Sequence, residues 1–403
     1  MRKNIIVFSI LSLLFLLSAC HPGNDEPLTQ TKVRTVLVYI AADNSLSSFA
    51  SEDLSEMVQG MRKVDTNSYN LLVYYDDHSA PTLLRLINKK GKIIKDTIFS
   101  YQEQNSVDVS VMKAVLKKAF TSYPADSYGL VLWSHGEGWL PSKSVSSFTK
   151  TRWWGVDESS KMDILDLEEA LSVAPHLDFI LFDACFMQSI EVAYELKDCA
   201  DYFIASPTET PGSGAPYEDV VPAFFSGKTG DSFATGIGDS YYDYYRDLYD
   251  ETKETTDDNW TGGVSIGVLK GSSLDDLASA TKEIITAHVK DGASVVDASK
   301  LFYYHRSELT YYYYDIKDLI STLTGQDSSY ETWLQAFDNA MISYHTTAKN
   351  YYSIPGQEYG GLFSMKGSCG VSTYILNSGH LSLNTYYHKL QWYEAAGWSE
   401  TGW

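Results

Sequence analysis

The chain has 403 residues, 44% hydrophobic and 21% charged, a composition typical of a globular protein with one large or two ordinary domains rather than a disordered or fibrous one. Its 52 Asp and Glu residues outnumber 31 Lys and Arg residues, giving a formal charge of −21 without a basic cluster, which excludes a nucleic-acid-binding protein. Four cysteines, Cys20, Cys185, Cys199 and Cys369, are too few for a disulfide scaffold.

The N-terminus has the pattern of a lipoprotein signal. Arg2 and Lys3 precede an apolar run of 13 residues, 5–17, which is too short to cross a bilayer as a helix. Small residues stand directly before Cys20. We therefore predict a signal peptide over residues 1–19 and acylation of Cys20. The lipid would anchor the protein in the cell envelope, at the outer membrane or cell surface of a Gram-negative bacterium. An ordinary secretory signal with an incidental cysteine is the alternative.

Strand and helix patterns alternate after a polar, flexible tether over residues 20–31. Predicted strands lie at 33–40, 70–75, 128–134, 179–183 and 202–205, predicted helices at about 45–61, 107–120, 164–173 and 187–196, and a predicted hairpin at 83–99. Because most of these strands are continuous apolar runs separated by helices, we expect an α/β fold with a mostly parallel sheet covered on both faces. The chemistry of such sheets lies beyond the carboxyl ends of the strands.

The second half of the chain is less regular. It predicts helices at 232–250, 274–289 and 330–348 and strands at 264–269 and 370–376. We expect one domain with a core over 32–226 and a C-terminal α/β elaboration over 227–403. A tyrosine-rich stretch at 303–314 is interpreted as partly buried packing, with a sugar- or peptide-binding face as the alternative.

Two segments place a reactive side chain at the end of a predicted core strand. His135 lies in SHGEGW (134–139), and Cys185 lies in DACFM (183–187), 50 residues later. A thiol that attacks a carbonyl needs a base, and imidazole can supply one near neutral pH. We therefore predict that Cys185 is a nucleophile and His135 its general base. Taken singly, each has a simpler alternative, a buried small hydrophobe and a structural histidine.

The surroundings of this pair favour acyl chemistry. The backbone N–H groups of Gly136 and Cys185 are candidates for an oxyanion hole. Cys185 is also predicted at a strand-to-helix turn, where the N-terminus of the following helix would favour a thiolate. The other histidines lack a metal-ligand spacing, and the sequence has neither GxSxG nor a P-loop. We therefore expect no metal and no cofactor.

SHGEGW and DACFM resemble the two signature motifs of the clostripain family of cysteine peptidases, which are relatives of caspases, legumains and gingipains. Residues 36–46, 205–212 and 387–398 are similar to further parts of the family pattern, in the same order. The resemblance implies a caspase-like three-layer sandwich with its catalytic core over 32–226, a Cys/His dyad, and endopeptidase cleavage after Arg or Lys. Calcium dependence occurs among clostripain relatives, but no EF-hand loop supports it here.

Substrate preference can be argued from charge. A pocket for Arg or Lys needs a buried carboxylate, because an unpaired buried charge costs several kcal/mol. Asp183 matches the family position that lines this pocket, and Glu209 is a second candidate. The alternative for Asp183 is a cap for the next helix. We expect protein or peptide substrates with a basic P1 residue, and a protein that acts as a monomer.

The segment between the two motifs is a candidate for self-cleavage. It is rich in Ser and Thr and contains Lys143, Lys150 and Arg152 in a stretch without helical periodicity. We expect cleavage after Lys150, with Lys143 and Arg152 as alternatives, and an uncut surface loop as the contrary case.

Two other functions are kept open. One is a non-catalytic surface lipoprotein that binds peptide or glycan, and the other is a cysteine hydrolase or transpeptidase acting on another bond.

Overall fold

The computed structural model describes residues 31–141, 153–256, 259–292, 296–306, 312–354, 357 and 360–403. Residues 32–403 form one compact unit. The predicted signal peptide and Cys20 lie outside the described residues, as do Lys143, Lys150 and Arg152. None of the helices in the described ranges combines the length and apolar character that crossing a membrane would require.

Helices and strands alternate along the first half, as the sequence predicts. The strands are β1 Lys32–Ala41, β2 Tyr69–Asp76, β3 Thr82–Lys89, β4 Lys92–Ser100, β5 Ala125–Trp133, β6 Trp154–Asp157, β7 Ser160–Met162, β8 Leu177–Asp183, β9 Ala200–Ala205, β10 Ser265–Lys270, β11 Tyr314–Asp315, β12 Met341–Thr346, β13 Lys349–Tyr352, β14 Gly361–Ser364 and β15 Ser372–Thr373. The helices are α1 Ser47–Gly60, α2 Val109–Ser122, α3 Ile164–Leu171, α4 Ile190–Glu195, α5 Tyr217–Ala223, α6 Asp231–Leu248, α7 Leu274–His288, α8 Ile316–Thr324, α9 Ser328–Ala340, α10 Leu381–Tyr387 and α11 Gln391–Ala395.

The central sheet of the described chain has nine strands in the order β12-β10-β9-β8-β5-β1-β2-β3-β4. The five inner strands from β9 to β2 are parallel to one another. Antiparallel strands complete both edges, with β3 and β4 on one side and β10 and β12 on the other. This arrangement confirms the expected α/β architecture with a mostly parallel sheet.

Each face of the sheet is buried against its own helices. Along β1, Val36, Val38 and Ile40 enter one hydrophobic core, whereas Leu37 and Tyr39 enter the other. Helices α1, α5 and α6 cover the first face, and α2, α3, α4 and α7 pack against the second. Because side chains of a strand alternate between its two faces, two cores on one sheet make a three-layer sandwich.

Two segments of the second half differ from the prediction. The helix predicted over 330–348 ends at Ala340, and the chain continues as the edge strand β12, which pairs with β10. A helical pattern cannot anticipate this pairing, since the partner strand lies more than 70 residues away. The strand predicted over 370–376 is reduced to Ser372–Thr373, paired with β11.

A buried carboxylate joins the C-terminal segment to α4. Oε1 of Glu191 accepts hydrogen bonds from the Thr373 hydroxyl at 2.9 Å, the Tyr374 backbone N–H at 2.8 Å and the Tyr387 hydroxyl at 3.2 Å. Its other oxygen accepts from the Ser189 hydroxyl. A buried carboxyl group with this many donors is held in place, so the C-terminal segment completes the packing around the helix that follows Cys185.

Candidate active site

A cavity of about 660 Å³ lies at the carboxyl ends of β1, β5 and β8, beside the loop that follows β9. All five cavity residues predicted from sequence, His135, Gly136, Asp183, Cys185 and Glu209, line it. Its size is in the range of cavities that bind small ligands or single side chains. The strand ends of the sheet have therefore brought the candidate residues to one place.

Strand register explains why His135 and Cys185 share the cavity. Trp133 of β5 is the register partner of Asp183 in β8. His135 lies two positions after Trp133, and Cys185 lies two positions after Asp183. Gly136 allows the two segments to approach, because a Cβ added there would lie 2.7 Å from the Ala184 Cβ and 2.9 Å from the Cys185 carbonyl oxygen. Any larger residue at Gly136 would push the histidine segment away from the cysteine segment.

The imidazole of His135 is held on several sides. Its Nε2 lies 2.9 Å from the Ser45 Oγ, and its ring meets the Trp153 ring edge-on, with centroids 6.5 Å apart. The backbone carbonyl oxygen of His135 accepts a hydrogen bond from the Gly155 N–H at 2.9 Å. Burial, followed by the nearby Lys161 cation, lowers the pKa of His135 to about 4. The ring is therefore neutral at pH 7 and able to accept a proton.

The thiol of Cys185 is in contact with Thr210. Its Sγ lies 3.3 Å from the Thr210 backbone N and 3.4 Å from the Thr210 Oγ1. Burial, followed by the charge of Glu209, raises the pKa of the Cys185 thiol to about 12. The predicted stabilisation of a thiolate by the next helix is wrong, because α4 begins only at Ile190 and burial favours the neutral thiol.

The backbone N–H groups near the thiol differ in their hydrogen bonds. Within the described ranges, the N–H groups of Gly136 and Cys185 make no backbone hydrogen bond. Phe186 has a left-handed φ of 60° and donates its N–H to the Thr208 carbonyl oxygen at 3.0 Å. This turn directs the chain away immediately after Cys185.

Asp183 lines the cavity and is only 4% exposed. Its Oδ2 accepts hydrogen bonds from the Ala215 N–H at 2.8 Å and the Tyr217 hydroxyl at 2.9 Å. Among the described residues, its buried Oδ1 has no hydrogen-bond partner. Burial raises the pKa of Asp183 to about 6. The alternative of a helix cap does not apply, since neither donor belongs to α4.

A second buried carboxylate, Asp53 on α1, was not predicted. It is 1% exposed, and its Oδ2 accepts a hydrogen bond from the Trp133 indole N–H at 2.6 Å. A Cβ built on Gly214 would lie 2.7 Å from the Asp183 Oδ2 and 2.9 Å from the Asp53 Oδ2, so the two carboxylates flank this glycine. Burial and the charge of Asp183 raise the pKa of Asp53 well above its usual value. The sequence does carry one indication of Asp53, because it is a charged residue on the apolar face of an amphipathic helix, between Ala50 and Met57.

Glu209 lies at the cavity but is engaged with the backbone. The N–H of Ser353 donates to both of its carboxylate oxygens, at 3.1 and 3.0 Å. The contact joins the loop after β9 to the loop after β13. Glu209 therefore contributes negative charge beside Cys185 while also holding one wall of the cavity.

Further lining residues are Ser45, within the 36–46 stretch that is similar to the family pattern, and His305, within the tyrosine-rich stretch. Trp153, Lys161 and Tyr351 also line the cavity, and no motif indicated them. Lys161 of β7 lies over the Trp153 ring, 4.1 Å from its centroid. Across the described part of the chain, no group of three or more His, Cys, Asp or Glu side chains is arranged to hold a metal ion.

The chain is similar to proteins of known class. The sequence profile of the clostripain family matches residues 38–403. A secreted C11 cysteine protease from Bacteroides thetaiotaomicron, solved in complex with an irreversible peptide inhibitor, is 48% identical, and the match covers 92% of this chain and 100% of that one with a TM-score of 0.84. An inactive zymogen C11 protease from Parabacteroides distasonis is 34% identical, covering 91% of this chain and 98% of that one with a TM-score of 0.78.

Clostripain from Hathewaya histolytica is 25% identical over 225 residues, which are 48% of this chain and 42% of that protein. The chain thus aligns with less than half the length of this curated relative. The two solved proteases match nearly all of the described sheet and helices, which confirms the expected caspase-like fold class.

Proposed function

Because the chain belongs to the clostripain family of cysteine peptidases, we propose that it is an endopeptidase in which Cys185 is the nucleophile and His135 the general base. The observation that carries the proposal is their placement at equivalent positions after register-paired strands, facing one cavity. A pure binding protein has no need of this pair, which makes the non-catalytic alternative the weaker one.

The reaction follows from the neutral state of both groups. As the Cys185 Sγ bonds to the scissile carbonyl carbon, its proton passes to His135, and the carbonyl oxygen takes the negative charge at the N–H groups of Gly136 and Cys185. The C–N bond then breaks, and His135 returns the proton to the leaving amine. Water attacks the thioester with His135 again as base, which releases the carboxylate product and restores the thiol.

We propose Arg or Lys at P1, with Asp183 as its main counter-charge. The buried Oδ1 of Asp183 without a hydrogen-bond partner is matched by the guanidinium or ammonium group of such a side chain. Glu209 is a second acidic residue in the cavity wall. Three acidic side chains, Glu137, Asp183 and Glu209, line the cavity together with one lysine, Lys161. This excess of acidic groups favours a cation over an acidic or apolar P1 residue.

We also propose that the protein is held in the cell envelope through acylated Cys20 and that it cuts itself between the two motifs. The first proposal rests on the N-terminal pattern, and the B. thetaiotaomicron relative is described as secreted. The second rests on the basic residues of the connecting segment, and the P. distasonis relative is described as a zymogen.

The central test uses an acyloxymethyl-ketone probe with Arg at P1. Purified protein starting after Cys20 should be labelled at Cys185, and the Cys185→Ala variant should not. Cys185→Ala and His135→Ala should each lower kcat by several orders of magnitude, with the double variant little worse. Retention of more than about a hundredth of the wild-type rate by Cys185→Ala would contradict the assignment.

A further inference from the structure

We propose that Ser45 is a positioning residue for His135: its hydroxyl accepts the Nε2–H of the imidazole and so presents Nδ1 to Cys185. The inference rests on the proposed role of His135 as general base. The observation is the 2.9 Å contact between the Ser45 Oγ and the His135 Nε2, at the rim of the cavity. The partner of one ring nitrogen determines which nitrogen carries the proton.

Ser45 is held in place by a turn built on its neighbour Asn44. The Asn44 Oδ1 accepts the Leu46 N–H at 2.9 Å, which closes a turn around Ser45. The Asn44 Nδ2 donates to the Ala41 carbonyl at 3.0 Å and to the Val156 carbonyl at 2.9 Å. The hydroxyl thus stands on a fixed loop, although the residue itself is at the surface.

The same anchor holds the histidine segment. The Ser134 hydroxyl, next to His135, donates to the Ala41 carbonyl at 2.7 Å. It also accepts the Val156 N–H at 3.0 Å. The loops that carry Ser45 and His135 are therefore bonded to the same two residues, Ala41 and Val156. This shared attachment fixes the distance between the hydroxyl and the ring.

A hydroxyl orients the ring differently from a carboxylate. It accepts the Nε2–H in both the neutral and the protonated ring, and as a neutral group it adds no charge that would strongly favour the imidazolium. In the reaction, Nδ1 receives the thiol proton and delivers it to the leaving amine, while Nε2–H stays on Ser45. The charged and titratable groups that share the cavity with His135 are Glu137, Lys161, Asp183, Cys185, Glu209 and His305.

The test compares Ser45→Ala with Ser45→Thr and with the control Ser48→Ala, an exposed serine on α1. Ser45→Ala should lower kcat by about 10- to 100-fold with KM changed less than about twofold, because ring orientation affects the chemical step and not binding. Ser45→Thr keeps the hydroxyl and should restore kcat to within about threefold of wild type. Ser48→Ala should match wild type.

A second measurement separates positioning from a structural role. Ser45→Asp supplies an acceptor with a negative charge, which should move the acid limb of the kcat–pH profile upward by about one unit or more. A residue that only supports the loop would leave that limb in place. The proposal is overturned if Ser45→Ala keeps wild-type kcat, or if Ser45→Asp leaves the acid limb unmoved.

If the wild type is inactive and its Cys185 is unlabelled by the Arg probe, the proposed function has failed, and this inference with it. An active, labelled wild type with an equally active Ser45→Ala overturns the inference alone.

Discussion

Asp53 and Asp183 come from different elements, α1 and the end of β8, yet one carboxylate oxygen of each lies close to the position that a Cβ of Gly214 would occupy. The donors that contact them are an indole, a phenol and a backbone N–H, all of them neutral. The pair thus has only neutral donors among its described contacts, and a basic side chain of a substrate would supply a cation at Asp183.

Substitution of these acids should change specificity. Asp183→Asn is expected to lower kcat/KM for Arg substrates by about a hundredfold or more, because the cation would lose its buried partner. Asp53→Asn should lower kcat/KM for Arg substrates by a smaller factor, since Asp53 does not itself line the cavity. The measurement is kcat/KM for matched substrates with Arg or norleucine at P1, with exposed Asp276→Asn as control. A preference of the wild type for norleucine or Asp at P1 would contradict the prediction.

The pH dependence of activity should report Asp183. Its pKa is raised to about 6 by burial, and only the carboxylate form pairs with an Arg side chain. We therefore expect kcat/KM for Arg substrates to be level above about pH 6 and to fall about tenfold per unit below it. Norleucine substrates should lack this fall, and Asp183→Asn should abolish it, leaving a limb near pH 4 where His135 is protonated. Equal acid limbs for both substrates would show that another group is responsible.

Alkylation of Cys185 should reveal a neutral resting dyad. With the thiol pKa raised to about 12 and the imidazole pKa lowered to about 4, both by burial, neither group is charged at pH 7. In a variant with Cys199 and Cys369 replaced by Ser, the rate of iodoacetamide labelling should rise steadily between pH 7 and 10, since only the thiolate reacts. A rate that is already constant below pH 7 would instead indicate a preformed thiolate–imidazolium pair.

Self-cleavage is expected to produce two fragments that stay associated. Cutting after Lys150, or after Lys143 or Arg152, would leave His135 and Cys185 on different fragments, each directly after one of the paired strands β5 and β8. A denaturing gel should show wild type converting to two bands while Cys185→Ala remains intact, and gel filtration should show one species. Active enzyme that remains a single band on long incubation would show that the segment need not be cut.

Membrane attachment should depend on Cys20. In a Gram-negative host, the full-length protein should be found in the membrane fraction, and Cys20→Ser should move it to the soluble fraction, because a single residue carries the lipid. Cys199→Ser serves as the matched control. A Cys20→Ser protein that still sediments with membranes would point to a different anchor.

The local pattern of the sequence was sufficient for the parallel core. The apolar runs of β1, β5 and β8 can only be buried on both faces, and this requirement already places the residues after β5 and β8 at one edge of the sheet. The first half of the chain therefore has nearly the predicted elements. The β3–β4 turn was also predictable from local sequence, since the Asn88 side chain accepts a hydrogen bond from the Gly91 N–H, three residues later, at 2.8 Å.

What could not be predicted depends on contacts between distant segments. Asp53 reaches the cavity only because α1 packs against the face of the sheet that carries Trp133. Ser45 meets His135 across 90 residues of sequence. The neutral state of the Cys185 thiol depends on how deeply the folded chain buries it, and sequence position alone suggested the opposite.

The hydrogen bonds that Glu191 accepts from Thr373, Tyr374 and Tyr387 have a consequence for the order of events during synthesis. The ribosome delivers the cysteine segment almost 190 residues before the partners of this carboxylate. Until those residues emerge, Glu191 can be buried only with the Ser189 hydroxyl as its side-chain donor and without three of its four described side-chain and backbone donors, so α4 and the turn before it stay incompletely packed. A nascent chain of this protein would therefore carry its thiol and imidazole without a finished cleft, and proteolytic competence would arise only once translation is nearly complete.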